Sequence, residues 1–321
     1  MACCPKSIIA EILKAKGAIK SVYFVACGGS YAGLHPGKYF LQSEAKKVTV
    51  DHYTANEFCH ATPKALGPNS IVITQSHSGT TPETVKAAEI AQKAGAASVV
   101  ITFDDQSPLA KNGDYVLKYE AKATTDMTGM AFGLKLAVEI LNQIEGYENY
   151  DEMMNGFDRI DGIVKHAKEF LTPRAKVFAE EYKDEKLIYM MGSGANYNVA
   201  YSFAICLLME MQWVNSSAIH SGEYFHGPFE ITDRETPFII LMSEGRTRPL
   251  DQRALDFLNR FAEKVIILDA KELGLETIDD KVSEFFNPLL MGAALGCYSY
   301  ELSIARKHPL SCRRYMWKLQ Y

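Results

Sequence analysis

Two tandem α/β units, each a doubly wound, mostly parallel five-stranded sheet flanked by helices, are predicted from the 321-residue sequence. Three observations lead there. Short apolar, β-branched runs alternate with longer helical patterns through the first 120 residues, as βαβ units with strands buried on both faces require. Two such runs end in a glycine- and hydroxyl-rich turn that opens a helix, at Gly28–Ser30 and at Ser76–Thr81. From Lys186 the pattern starts again, as it does in a tandem repeat.

In chain order, MACCPKSIIAEILKAKG reads as an amphipathic helix, and Lys6 and Lys14 within it exclude a secretory signal. SVYFVAC, Ser21 to Cys27, is a strand that runs into GGSYAG and a helical pattern towards Ser43. VTVDHY near Val48 is the next strand, ANEFCHA a short helix, and IVITQ, Ile71 to Gln75, a third strand. TTPETVKAAEIAQKAG is a helix with Pro82 near its first turn, where a missing N–H removes no helical bond. Ser98–Phe103 and Asp114–Glu120 complete five strands. Thr128 to about Glu181 is mostly helical, with Pro173 expected to break it. Lys186–Met191 then leads into GSGANY and a helix to about Trp213, followed by strands near Ser217, at Pro237–Ser243 and at Lys264–Ala270. The expected domains are 1–150, a helical linker 151–185, and 186–321.

A net charge of −5 without a long basic run argues against nucleic acid or an anionic membrane surface, and so favours a small solute. With 47% hydrophobic and 23% charged residues the chain is a folded one. No apolar run approaches the roughly 18–20 residues of a membrane span. The seven cysteines are odd in number, lack a CxxC pair and have no histidine at ligand spacing, which leaves neither a disulfide framework nor a zinc site. They are read as reduced and mostly structural, and the protein as cytoplasmic. Cys27, beside a glycine pair, is either a reactive thiol or a small buried hydrophobe, and the second reading is preferred.

SHSGTT, between the third strand and its helix, places hydroxyls and unpaired amides at the positive end of a helix, an anion site whose natural occupant is phosphate. An ordinary capped helix start has the same composition. In doubly wound sheets ligands lie beyond the carboxyl ends of the strands, where the strand order reverses; Gly28, Gly29, Ser30 and SHSGTT would both be there. The second copy of the turn, SEGRTRPL, has lost the serine and threonine pattern, so one phosphate site per chain is expected.

Glu210 follows Phe203, Cys206 and Leu207 at helical spacing and would face inward. A desolvated carboxylate becomes basic enough to move a carbon-bound proton near neutral pH; a structural glutamate paired with an arginine or capping a helix fits the same pattern. Sixteen residues on, His226 precedes Gly227 and Pro228 in a loop after a strand, an imidazole available as acid or base. His220, Glu223 and Glu230 are its rivals.

GGS after the first strand, SHSGTTPET, and Glu210 with HGP beyond it resemble the sugar isomerase (SIS) domains of glucosamine-6-phosphate synthase and its relatives. SGANYNVAYSFAICLLMEMQW, IHSGEYFHGPFEI and the terminal HPLSCRRYMWKLQY are closer still to the fructosamine (fructoselysine-type) 6-phosphate deglycases, over essentially the whole chain. The resemblance implies that Ser76, Ser78 and Thr81 hold a 6-phosphate, that Gly29 and Ser30 line the sugar site, and that His77 replaces a glutamine of the synthase. Glu210 and His226 match the family's catalytic pair. The synthase has a lysine where this chain has Leu207, and a tail lysine where it offers Arg314 or Lys318 as candidate tail contacts; ring opening then falls to His226. The implied reaction converts a 6-phosphofructosamine and water to glucose 6-phosphate and an amine, with no metal or organic cofactor. The released amine could be lysine, another amino acid or a range of α-glycated compounds. The resemblance also implies a homodimer in which Ser78 and Glu210 of one chain meet His226 of the other. An aldose–ketose sugar-phosphate isomerase or a non-catalytic sugar-phosphate sensor are the alternatives. A nucleotide-binding domain is disfavoured, because GGSYAG lacks the GxGxxG spacing and nothing else supports Asp51 as a ribose acid.

Overall fold

The computed structural model describes residues 4–120 and 123–320. Cys3, one of the cysteines read as structural, lies outside them. The chain divides into two compact units, one up to Met154 and one from Asn155 onward.

In the first unit helix α1 (Pro5–Lys16) is followed by β1 (Ser21–Ala26), α2 (Gly28–Glu44), β2 (Thr49–Thr54), α3 (Ala55–His60), β3 (Ser70–Ser76), α4 (Pro82–Lys93), β4 (Ala97–Thr102), a short α5 (Pro108–Lys111), β5 (Tyr115–Lys118) and α6 (Gly129–Glu145). The strands align in the order β2-β1-β3-β4-β5, every pair parallel. β1, β3 and β4 are buried along their whole length, which is why their β-branched runs show no alternation. Tyr23, Val25, Phe58, Val72, Ala87 and Ala91 form a core against α3 and α4. On α2 and α6, Gly37 and Gly133 let the backbones meet: a methyl at Gly37 would lie 2.5 Å from the Gly133 carbonyl oxygen.

Helix α7 (Tyr150–Tyr182) contains Pro173 in its interior. The expected break does not occur. Proline forfeits one backbone bond, but Leu171, Ala175 and Phe178 bury a continuous stripe around it, and Phe178 packs on Tyr298 with ring centroids 5.2 Å apart.

The second unit continues through β6 (Tyr189–Gly192), α8 (Tyr197–Ser202), β7 (Ala218–His220), β8 (Phe238–Met242), α9 (Arg248–Phe261), β9 (Val265–Asp269) and α10 (Asn287–Ala305). Its sheet is also parallel, in the order β7-β6-β8-β9, and so repeats the first four places of the other. A core of Met191, Ile219, Tyr224, Phe238, Ile240 and Leu258 fills one face. The expected fifth strand is absent among the described residues. After β9 the chain turns at Gly274, φ 91°, and forms 3-10 turns at Leu275–Thr277 and Ser283–Phe286; the intervening residues 278–282, interrupted by Asp279, Asp280 and Lys281, offer no apolar run to bury in a sheet. The helix expected towards Trp213 also differs: α8 passes directly into a π-helical stretch, Phe203–Met211. Among the described residues no helix is long and apolar enough to cross a membrane.

The close approach of α2 and α6 gives a test. Gly37→Ala should destabilise the protein by about 1–3 kcal/mol through overpacking, whereas Gly162→Ala on α7, with open space where its methyl would go, should be neutral or stabilising by up to about 1 kcal/mol. Thermal unfolding of the two variants should shift in opposite senses, or at Gly37 alone.

Candidate active site

The first cluster forms where the order of the first sheet reverses. β1 and β3 are neighbours, Ala26 opposite Gln75, so the turns that follow them leave the same edge of the sheet. Cys27 is the N-cap of α2, and Gly28, with φ 53°, Gly29 and Ser30 lie within its first turn rather than in a separate loop. Burial raises the Cys27 thiol pKa, which disfavours the reactive reading. None of Cys4, Cys27, Cys59, Cys297 and Cys312 is joined in a disulfide.

Beyond β3 the hydroxyls divide into two groups. Ser76 is buried; its Oγ accepts the Gly79 N–H at 3.1 Å and meets Thr81 Oγ1 at 3.0 Å, bracing the turn from inside. Ser78 and Thr80 are exposed, with Oγ and Oγ1 2.8 Å apart. Thr81 is the N-cap of α4, yet its side chain does not cap. The first-turn amides thus remain open to a ligand oxygen, although Glu83 in the same turn offsets part of the positive end. Gly79 has φ 65°, and a methyl there would fall 2.0 Å from Ser107 Oγ; its carbonyl accepts Leu109 N–H at 3.0 Å, which fixes the turn against α5. His77 leans on Phe103, ring centroids 5.2 Å apart, with its Nδ1 2.9 Å from the Tyr119 hydroxyl. Burial pushes the Tyr119 phenol up to about 12, so it stays protonated.

The equivalent turn of the second unit is closed by the chain itself. Glu284 accepts the Arg246 N–H at 3.0 Å, Asn287 Oδ1 the Glu244 N–H at 2.9 Å, and the buried Asp251 the Ser243 N–H at 3.0 Å. Amides that would serve an anion are already taken.

The second cluster is built on the π-helical stretch. Its wider turn brings Phe203 and Leu208, five residues apart, into the core, leaving Cys206 and Leu207 only half-buried. The apolar face expected from α-helical spacing is therefore rotated. Glu210 stands half-buried on the wall of a cavity of about 540 Å³, with Trp213, Arg313, Arg314 and Tyr315 around it. Arg313 Nη2 lies 2.7 Å from Glu210 Oε1, its side chain 7% exposed against 22% for the glutamate, and its Nη1 donates to the Leu310 and Cys312 carbonyls at 2.8 and 2.7 Å. Lys318 Nζ donates to the Arg313 carbonyl at 2.5 Å, so Lys318 braces the tail while Arg314 lines the cavity. Burial raises the Glu210 carboxyl pKa, and the Arg313 cation opposes the rise without cancelling it.

His226 is exposed on the turn after β7, not on the cavity wall, and is followed by Gly227 at φ 131°. Among its rivals His220 accepts Gly222 N–H at 3.0 Å, while Glu223 and Glu230 are exposed. Thr80, Trp213 and Arg313 were not singled out from the sequence, although Thr80 stood within SHSGTT, Trp213 at the end of SGANYNVAYSFAICLLMEMQW and Arg313 within HPLSCRRYMWKLQY. Among the described residues no three His, Cys, Asp or Glu side chains are grouped to hold a metal.

The model of the SIS domain matches residues 18–143 and 181–274, the spans that hold the two sheets. The chain belongs to the SIS domain family. This SIS protein is 45% identical to the fructosamine deglycase FrlB of Bacillus subtilis (strain 168), over 94% of this chain and 93% of that one. It is 26% identical to the fructoselysine 6-phosphate deglycase of Escherichia coli (strain K12), covering 96% and 88% of the two. A crystal structure from Salmonella typhimurium LT2 superposes with a TM-score of 0.97 at 48% identity, over 99% of this chain and 96% of the other.

Replacing Arg313 with glutamine leaves Glu210 its desolvation but removes the opposing cation. The Glu210 carboxyl should then titrate higher by on the order of 1 pH unit, read by ¹³C NMR of the labelled side chain. An unmoved titration would mean that the ion pair is not formed in solution.

Proposed function

We propose that this SIS protein is a fructosamine 6-phosphate deglycase, which converts a 6-phosphofructosamine and water to glucose 6-phosphate and the free amine or amino acid. The observation that carries the reading is Glu210, a carboxylate with a raised pKa on a cavity wall, in a chain 45% identical to a fructosamine deglycase.

In the substrate the amine nitrogen is on C1, beside the C2 carbonyl of the open ketose. Glu210 removes a proton from C1, the electron pair forms the C1–C2 double bond, and the C2 oxygen takes a proton to give an enaminol. Return of the proton to C2 moves the unsaturation to the C1–N bond. Water adds to C1, the C1–N bond of the resulting carbinolamine breaks with proton transfer to nitrogen, and the C1 aldehyde of glucose 6-phosphate remains. No electron leaves or enters. Ser78 and Thr81, with the first-turn amides of α4, hold the phosphate, Ser76 keeps their turn in shape, and Gly29, Ser30 and His77 line the sugar. His226 opens the ring and serves the sugar oxygens. Residues 1–150 are then the phosphate-holding subdomain, 151–185 a helical connection, and 186–321 the acid–base subdomain. A phosphorylated substrate is confined to the compartment where it is made, and we place the enzyme in the cytoplasm.

Incubation with 6-phosphofructosamines should release glucose 6-phosphate. An aldose–ketose isomerase would instead interconvert sugar phosphates without freeing an amine. Glu210→Gln keeps an acceptor for Arg313 but cannot take the C1 proton, and should lose about 10²–10⁴-fold in turnover. Loss of C1 deuterium to solvent at an undiminished rate would place the base elsewhere, with Glu223 next to test. Ser78→Ala and Thr81→Ala should act chiefly on KM, because the phosphate is held equally in ground and transition states.

The exposed position of His226 supports a homodimer in which it serves the Glu210 of the neighbouring chain. A mixed dimer of inactive Glu210→Gln and inactive His226→Ala chains would then carry one doubly lesioned site and one intact site, and activity should return. A folded mixed dimer without activity would assign both residues of a site to one chain.

A further inference from the structure

On the cavity wall beside Glu210 one cation is uncommitted. Arg313 is spent on Glu210 and on the tail's own carbonyls. Arg314 lies over Trp213 instead, its guanidinium carbon 4.4 Å from the centroid of the ring; it is exposed, and among the described residues no carboxylate pairs with it. A guanidinium lying on an indole keeps its plane fixed and its N–H edge available, which suits a planar carboxylate. Trp213 is itself held in an unusual conformation, φ 55°, at the end of the π-helical stretch, a left-handed backbone that bulky side chains adopt only when surrounding contacts impose it. Those contacts are visible: His308 meets the Trp213 ring edge-on at 4.5 Å, and Gln212 donates to the His308 carbonyl at 2.9 Å. Met209, Val214 and Met316 supply an apolar lining next to the cation.

We propose that Arg314, seated on Trp213, is a specificity residue that binds the carboxylate of the amino acid portion of the substrate. This rests on the deglycase reading, in which Glu210 faces C1 and the group attached through nitrogen extends along the same cavity. The 6-phosphate is assigned to the first unit, so the anion met by Arg314 is a second one, and the substrates preferred are glycated amino acids over glycated simple amines. The carboxylate can stand next to the reacting nitrogen, as in an α-glycated amino acid, or at the far end of a chain, as in ε-glycated lysine.

The test compares two matched pairs of 6-phosphofructosamines: those of glycine and methylamine, and those of lysine linked through its ε-nitrogen and of 1,5-diaminopentane. For each pair the ratio of kcat/KM with and without the carboxylate is measured in the native enzyme, in Arg314→Gln and in Arg314→Lys. Affinities for the same compounds are measured by calorimetry with Glu210→Gln, alone and combined with Arg314→Gln. Arg314→Gln should reduce the preference for the carboxylate by about 10–100-fold, chiefly through KM, as expected for loss of a charge-assisted bidentate contact. Arg314→Lys should restore only part of it. A loss confined to the glycine pair locates the carboxylate beside the nitrogen; a loss confined to the lysine pair locates it at the far end. Preferences that do not change with Arg314 in either pair overturn the proposal. Absence of glucose 6-phosphate with every compound would overturn the deglycase reading instead, and the calorimetric preferences would still decide the role of Arg314.

Discussion

Parallel pairing of β1 with β3 is the constraint on which the first unit depends. Strands that run the same way deliver their following turns to one edge of the sheet, and with the order β2-β1-β3-β4-β5 the helices after β1 and β3 depart to opposite faces there. The glycines at the start of α2 and the hydroxyls before α4 are brought together by that topology, and Thr84 Oγ1 of α4 meets Cys27 Sγ, the N-cap of α2, at 3.9 Å. The same pairing of β6 with β8 operates in the second unit, but there Glu284, Asn287 and Asp251 occupy the amides. Duplication has supplied two reversal points, and only one is left open.

The strands were legible because burial on both faces demands unbroken β-branched apolar runs, and IVITQ, SVVIT and FIILM are such runs. The turn between β3 and α4 was legible because hydroxyls and a glycine between an apolar run and a helical pattern mark the start of a helix. What could not be read depends on tertiary balance. FAICLLMEM is apolar almost all round, so its sequence does not reveal whether the turn is 3.6 residues or wider, and the π-helical geometry was hidden. Pro173 signals a break locally, but the packing of Leu171, Ala175 and Phe178 outweighs one lost backbone bond. The partner of Glu210 lies 103 positions away, at Arg313, and no spacing rule connects a helical glutamate to an arginine in the C-terminal tail.

That ion pair changes how Glu210 is to be understood. A structural glutamate paired with arginine and a catalytic carboxylate were alternatives from the sequence; the geometry shows the pairing, and the catalytic role proposed for Glu210 is compatible with it. Desolvation raises the affinity of the carboxyl for a proton, and Arg313 opposes that rise without cancelling it. Arg313 also holds the tail, through the Leu310 and Cys312 carbonyls, so the electrostatics of the cavity and the position of the residues that line it have a common origin.

Both tryptophans of the chain belong to this region. Trp213 lies under Arg314, and Trp317 lies under Arg313 at 5.1 Å; each ring is also substantially exposed, 44% and 78%. A nearby cation and the local solvent both alter indole emission. Tryptophan emission, excited selectively over tyrosine, therefore originates at the tail and the cavity rim, with no tryptophan in the two hydrophobic cores, and reports movement of the tail or entry of a molecule into the cavity without any attached label.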